Sequence, residues 1–145
     1  QRRLAIFADA RARLALCVDL ENGLDRDFAA ERWQTLPEVE GQLGAALRRR
    51  FDTAQTPHLA DDETLRGLLV QLEYLGAIDS PEEDRQRRMD AQVMRLSRRL
   101  GGSAGSAPRD ELIALLAEWI SAGRPDAAAN ARFARALDAA IARLP

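Results

Sequence analysis

This chain has no lysine: all 21 of its basic residues are arginine. That excludes a Schiff-base lysine, a lysine nucleophile and the lysine of a phosphate-binding loop. The bias itself reads as the imprint of a GC-rich genome. A single cysteine, Cys17, excludes a disulfide within the chain and any cysteine-built metal site. It lies in the apolar run LALCV, where a buried, inert thiol is expected. A single histidine, His58, falls in the loop sequence TPHLADD, and no second histidine supplies a metal-ligand spacing. Aromatic residues are only 5% of the chain, and valine and isoleucine are sparse, which disfavours strands. No signal peptide and no apolar run of about 18 residues is present, so a cytoplasmic location is expected, with no membrane partner. The net charge of −2 leaves no global field to draw in nucleic acid or anionic lipid.

What remains is a leucine-, alanine- and arginine-rich chain of 145 residues, 46% hydrophobic and 30% charged. Such a composition favours helices. The apolar spacing predicts an all-α fold of about seven antiparallel helices, in a bundle or a short helical repeat array. The first helix runs to Asn22-Gly23, with Leu4, Phe7, Leu14, Cys17 and Val18 on one broad face. Asp25 caps a short second helix through Trp33, ended at Leu36-Pro37. The third starts with Pro37 in its first turn. Asp61 or Asp62 caps the fourth, whose stripe is Leu65, Leu68, Leu69, Leu72 and Leu75, closed by Gly76 and Ala77. A fifth runs from Ser80 to about Leu100, a flexible loop covers 101–107, and two more helices break at Gly123 and Pro125. The expected organisation is a helical unit over 1–56 with Trp33 and Phe51, and a second over 57–145, within one compact domain. The chain begins at Gln1 and reads as a piece of a longer protein.

Two echoes suggest duplication. Val18, Leu20 and Glu21 match Val70, Leu72 and Glu73, and Trp33 followed by Arg50-Phe51 matches Trp119 followed by Arg132-Phe133. Glu21 and Glu73 are expected in salt bridges rather than as a catalytic carboxylate pair, since no histidine or cysteine motif accompanies them. The tryptophans and phenylalanines are expected at buried corners of helix packing.

The densest charge lies in SPEEDRQRRM, residues 80–89. Ser80 suits an N-cap, Pro81 a first helical position, and Glu82 and Glu83 the positive end of the helix dipole. Glu83 completes a capping box with Ser80, and Glu83–Arg87 and Asp84–Arg88 are acid-before-base pairs four residues apart. Further along, Met89, Val93, Leu96 and Leu100 form a narrow apolar stripe. Beside it Arg85, Arg88, Gln92, Arg95 and Arg99 form a polar one. These five are the candidate binding residues, for phosphates or for carboxylates on a partner. The competing expectation is that their stems pack over the helix seam and pair with another helix. No catalytic, cofactor or metal residue emerges.

The run LEYLGAIDSPEEDRQRRMDAQVMRL carries Leu72-Glu73, Ser80-Pro81, Asp84, Arg88-Met89, Gln92-Val93 and Leu96. It resembles the C-terminal part of bacterial proteins in the family of domain-of-unknown-function 349. Trp33, Leu47, Arg50-Phe51 and Ala54 resemble that family's repeat unit, and Trp119 with Arg132-Phe133 is similar to a degenerate copy with a shorter gap. The resemblance implies a cytoplasmic, helix-rich repeat protein and brings no catalytic residues. The expected function is a non-enzymatic scaffold or protein-interaction module, its partner another protein or the rest of its own chain. The alternative is a nucleic-acid or ribosome-associated module using the arginine stripe.

Overall fold

Side-chain oxygens start the helices where the sequence places them. Asp25 accepts from the Phe28 N–H at 3.0 Å, Asp61 from Thr64 at 3.0 Å and Asp126 from Ala129 at 2.8 Å, each satisfying a donor that the first helical turn leaves open. The computed structural model describes residues 2–102 and 107–145. Among them it holds α1 (Arg2–Glu21), α2 (Arg26–Thr35), α3 (Gly41–Asp52), α4 (Asp62–Leu75), α5 (Arg85–Leu100), α6 (Pro108–Ala122) and α7 (Ala127–Ala142). A 3-10 turn, Glu82–Asp84, leads into α5. The only extended pairing among the described residues is one bridge between Leu59 and Arg124. The fold is all-α, and no described helix is long and apolar enough to cross a membrane. Of the loop expected over 101–107, residues 103–106 lie outside the described residues.

The chain divides into two units, 1–59 with 116–124, and 60–115 with 125–145. The first break falls three residues beyond the expected 56/57 boundary. Residues 116–124, expected in the second unit, belong to the first. Trp119 goes with them while Phe133 stays in the second unit, so the second tryptophan–phenylalanine echo does not fall in one unit.

In the first unit α1 packs on α2 and α3. Its buried face is Phe7, Ala10, Arg13, Leu16, Cys17 and Leu20. Leu4, Leu14 and Val18, expected in that face, are half-buried. The face rotates because Arg13 is drawn inward: its guanidinium lies over the Trp33 ring at 4.3 Å and donates to the Pro37 and Leu36 carbonyls at 2.7 and 2.8 Å. Those carbonyls are thereby held outside any helix. Hence α3 begins at Gly41 rather than in the turn after Pro37. Trp33 in turn stacks on Phe51 with ring centroids 4.3 Å apart. Cys17 is fully buried, and burial pushes its thiol up to about 12.

In the second unit α4 packs on α5 and α7, around Leu65, Leu68, Leu69, Leu72, Leu112, Phe133 and Leu137. α4 ends in a paired-carbonyl stop: Ala77 N–H bonds to Tyr74 O at 3.0 Å, and Ile78 N–H to Glu73 O at 3.0 Å. That motif wants glycine at its left-handed position, yet Ala77 occupies it with φ 55°. Gly76 sits one residue earlier because α7 approaches there; a Cβ on it would lie 2.7 Å from Ala139 Cβ and 3.0 Å from the Ala140 nitrogen.

The two positions should therefore respond in opposite directions. Ala77→Gly is expected to raise the unfolding free energy by about 0.5–1 kcal/mol through relief of the left-handed strain. Gly76→Ala should lower it by about 1–3 kcal/mol through overpacking against α7. Urea denaturation of the two variants checks both signs.

Candidate interaction face on the fifth helix

The charges of 80–89 do something other than start a helix. The Ser80 hydroxyl donates to Glu73 Oε1 at 2.7 Å and accepts from Arg88 at 2.9 Å. It caps no helix. Pro81 precedes the 3-10 turn without a side-chain cap, and Asp84 is the residue flanking α5. The expected capping box and the four-residue pairs thus give way to other partners, most of them outside α5. Arg87 forks onto Glu63 and reaches Asp84 at 2.9 Å. Arg88 donates to the Ile78 carbonyl at 2.7 Å. Burial explains the part that involves Ser80 and Asp84: Glu73 and Asp84 are 1% and 0% exposed, and a carboxylate out of water needs its oxygens bonded.

Arg132 of α7 supplies most of that compensation. Its Nε and one terminal nitrogen meet the two Glu73 oxygens at 2.7 and 2.8 Å, and the other terminal nitrogen meets Asp84 at 2.6 Å. Arg66 of α4 reaches Asp84 at 3.0 Å. Burial alone would raise the Asp84 carboxyl, but the bonds from Arg132 and Arg66 outweigh it and hold the group below its ordinary value of 3.8. The first unit contains the same pairing. Arg50 forks onto Glu21 at 2.8 and 3.0 Å, and in both units the arginine directly precedes the phenylalanine of the sequence echo. The salt-bridge expectation for Glu21 and Glu73 is met. Their partners could have been read from the sequence too, by joining the Leu-Glu echo to the Arg-Phe echo.

This network fixes the roll of α5. With Asp84 and Arg88 tied inward, the side of α5 nearest the unit carries Arg87, Arg88, Ala91 and Arg95, all half-buried. Arg95 lies over the Tyr74 ring at 4.8 Å and forks onto Glu111 of α6, one arm at 3.1 Å. Arg88 sits 5.7 Å from the same ring. The apolar stripe consequently points to solvent: Met89, Val93, Leu96 and Leu100 are 54–80% exposed, and α5 buries no residue.

The five candidate residues therefore separate. Arg88 and Arg95 hold α5 to its own unit. Arg85, with a weak contact to Glu82 at 3.2 Å, and Gln92 and Arg99 remain on the exposed flank. Beside that flank runs a groove of about 830 Å³ between α5 and the start of α6, with Tyr74 and Leu75, Val93 and Leu96, and Glu111 and Ala114 among its walls. No histidine, cysteine, serine or threonine lines it among the described residues. His58 is exposed in its loop, where its carbonyl accepts from the Arg124 N–H at 2.7 Å. No described cluster of histidine, cysteine, aspartate or glutamate is arranged for a metal ion.

No protein-family model, curated protein or solved structure matches the chain.

Removing Arg132 leaves buried Glu73 without a cation and takes one of three from Asp84, so Arg132→Met should cost about 3–5 kcal/mol. The linkage to pH follows from the lowered Asp84 value. A carboxylate depressed in the folded state stabilises above its ordinary pKa and loses that contribution as pH falls through the folded value. Asp84→Asn should be less stable than wild type at pH 7, and the gap should narrow below about pH 4. Urea midpoints at pH 7 and pH 3 report it.

Proposed function

We propose that this chain is a non-catalytic interaction module whose working surface is the outward face of α5. One observation carries the reading: an amphipathic helix turned with its apolar stripe to water, while Arg87, Arg88 and Arg95 take the inward side. Monomeric proteins seldom expose a contiguous apolar strip of this kind, and such strips mark surfaces that another chain covers. The second support is the groove beside it, which offers apolar walls and no nucleophile-and-base set.

The paired Glu21–Arg50 and Glu73–Arg132 forks support the further reading that the two units follow one plan. The likeness to the family of domain-of-unknown-function 349 belongs to this proposal as well. Trp33, Phe51, Arg50, Glu73, Asp84 and Arg132, which bear it, are packing and ion-pair residues here. A cytoplasmic setting with a protein partner is the corresponding expectation. Phosphate binding through the arginine stripe is the weaker reading, because Arg88 and Arg95 are already engaged within the unit.

The discriminating experiment uses two variants. Val93→Asp with Leu96→Asp removes the apolar face, and Arg98→Glu with Arg99→Glu removes exposed cations that hold no helix in place. Affinity capture from nuclease-treated cytoplasm should lose bound protein with the first variant and keep it with the second. Electrophoretic titration with generic RNA and DNA should show little binding for either. Binding that falls steeply with salt and disappears only in the Arg98/Arg99 variant would transfer the function to nucleic acid.

A further inference from the structure

The register of α5 says what covers it. Residues 85–100 fit two heptads, with Gln86, Val93 and Leu100 at a positions and Met89 and Leu96 at d positions. The apolar residues alternate at spacings of four and three, which keeps them on one seam of a supercoiled pair. Val93 is the β-branched residue at a, and Leu96 the leucine at d; in a parallel coiled coil that combination favours two strands. Gln86, polar at an a position, penalises registers that would bury it against an apolar residue of the other helix.

The flanks decide the orientation. Arg85, Gln92 and Arg99 occupy g positions, Asp90 and Ser97 the e positions, and all five are exposed. In a parallel pair each g residue faces the e residue of the following heptad on the other helix. Arg85 then meets Asp90 of the second copy, twice over by symmetry, and Gln92 meets Ser97. In an antiparallel pair g faces g, which sets Arg85 against Arg99 and leaves like charges opposed. Neither Arg85 nor Asp90 is committed elsewhere: Arg85 has only the water-exposed contact to Glu82, and Asp90 accepts at 2.9 Å from Gln86 on its own helix.

We infer that α5 pairs with the α5 of a second copy of this chain, parallel and in register, through Val93, Leu96 and Leu100 with Arg85–Asp90 bridges across the seam. This rests on α5 being the working surface and names its occupant. Of the other exposed large apolar residues, Met94 adjoins the seam on α5, while Phe28 and Leu59 are single side chains and form no comparable strip.

Sedimentation of the full chain over a wide concentration series tests it. Wild type should pass from monomer to dimer. Arg85→Glu and Asp90→Arg should each weaken the dimer about five- to tenfold by opposing like charges, and the double variant should recover wild-type affinity. Leu100→Cys adds an orientation readout: the parallel pair brings the two thiols together, so air oxidation should give a covalent dimer, with the buried Cys17 silent. A dimer insensitive to these charges, or no cross-link at position 100, overturns the parallel pairing. A wild type that stays monomeric throughout overturns self-pairing itself. The face reading is then judged separately, by whether Val93→Asp with Leu96→Asp abolishes capture of a different protein; if neither assay responds to that variant, both readings fall.

Discussion

Two carboxylates, Glu73 and Asp84, lie out of water in the second unit, held there by guanidinium groups and one serine hydroxyl. A buried ionised carboxylate is tolerated when its partners satisfy it in good geometry. Here Arg132 spans both acids from α7, Arg66 adds a bond from α4, Arg87 adds one from α5, and Ser80 occupies a Glu73 oxygen. Four segments that are separate in sequence are thereby pinned to one point. The connection between α4 and α5 is drawn in by its serine and aspartate, and the roll of α5 about its own axis follows.

That roll links stability to the proposed interaction face. Had the apolar stripe decided the packing, Met89, Val93, Leu96 and Leu100 would be buried against the unit, with Arg87, Arg88 and Arg95 in solvent. The ionic network wins because stranding a buried charge costs several kcal/mol, whereas each exposed apolar side chain forfeits about 1.5–3 kcal/mol at most, and less when partly covered. Arginine suits the inward face: the Arg95 guanidinium lies over the Tyr74 ring while its fork reaches Glu111. The outcome is a helix with its adhesive side available.

Much of the fold was legible from local rules. The caps Asp25 and Asp61, the stop at Asn22-Gly23, the leucine stripe of α4 and the burial of Trp33 and Phe51 all follow from residue type and spacing. Failures came where distant partners override local preference. Ser80, Pro81 and Glu83 make a convincing helix start on paper, yet the Ser80 hydroxyl is taken by Glu73 and Arg88. Pro37 looks like a helix start, but Arg13 holds its carbonyl. The stripe on α5 was readable as a pattern, and its direction was not, because periodicity fixes which residues share a face and not what that face meets. The five-residue candidate set divided for the same reason, Arg88 and Arg95 going inward and Arg85, Gln92 and Arg99 staying out.

The central claim is that the apolar seam of α5 faces solvent in the folded monomer. Thiol labelling of Leu96→Cys in dilute native protein addresses it directly, with Cys17 as the internal buried control. The account predicts modification of the new thiol at close to the rate of a free cysteine, with Cys17 protected until the chain is unfolded. Equal protection of both thiols under native, dilute conditions would contradict it.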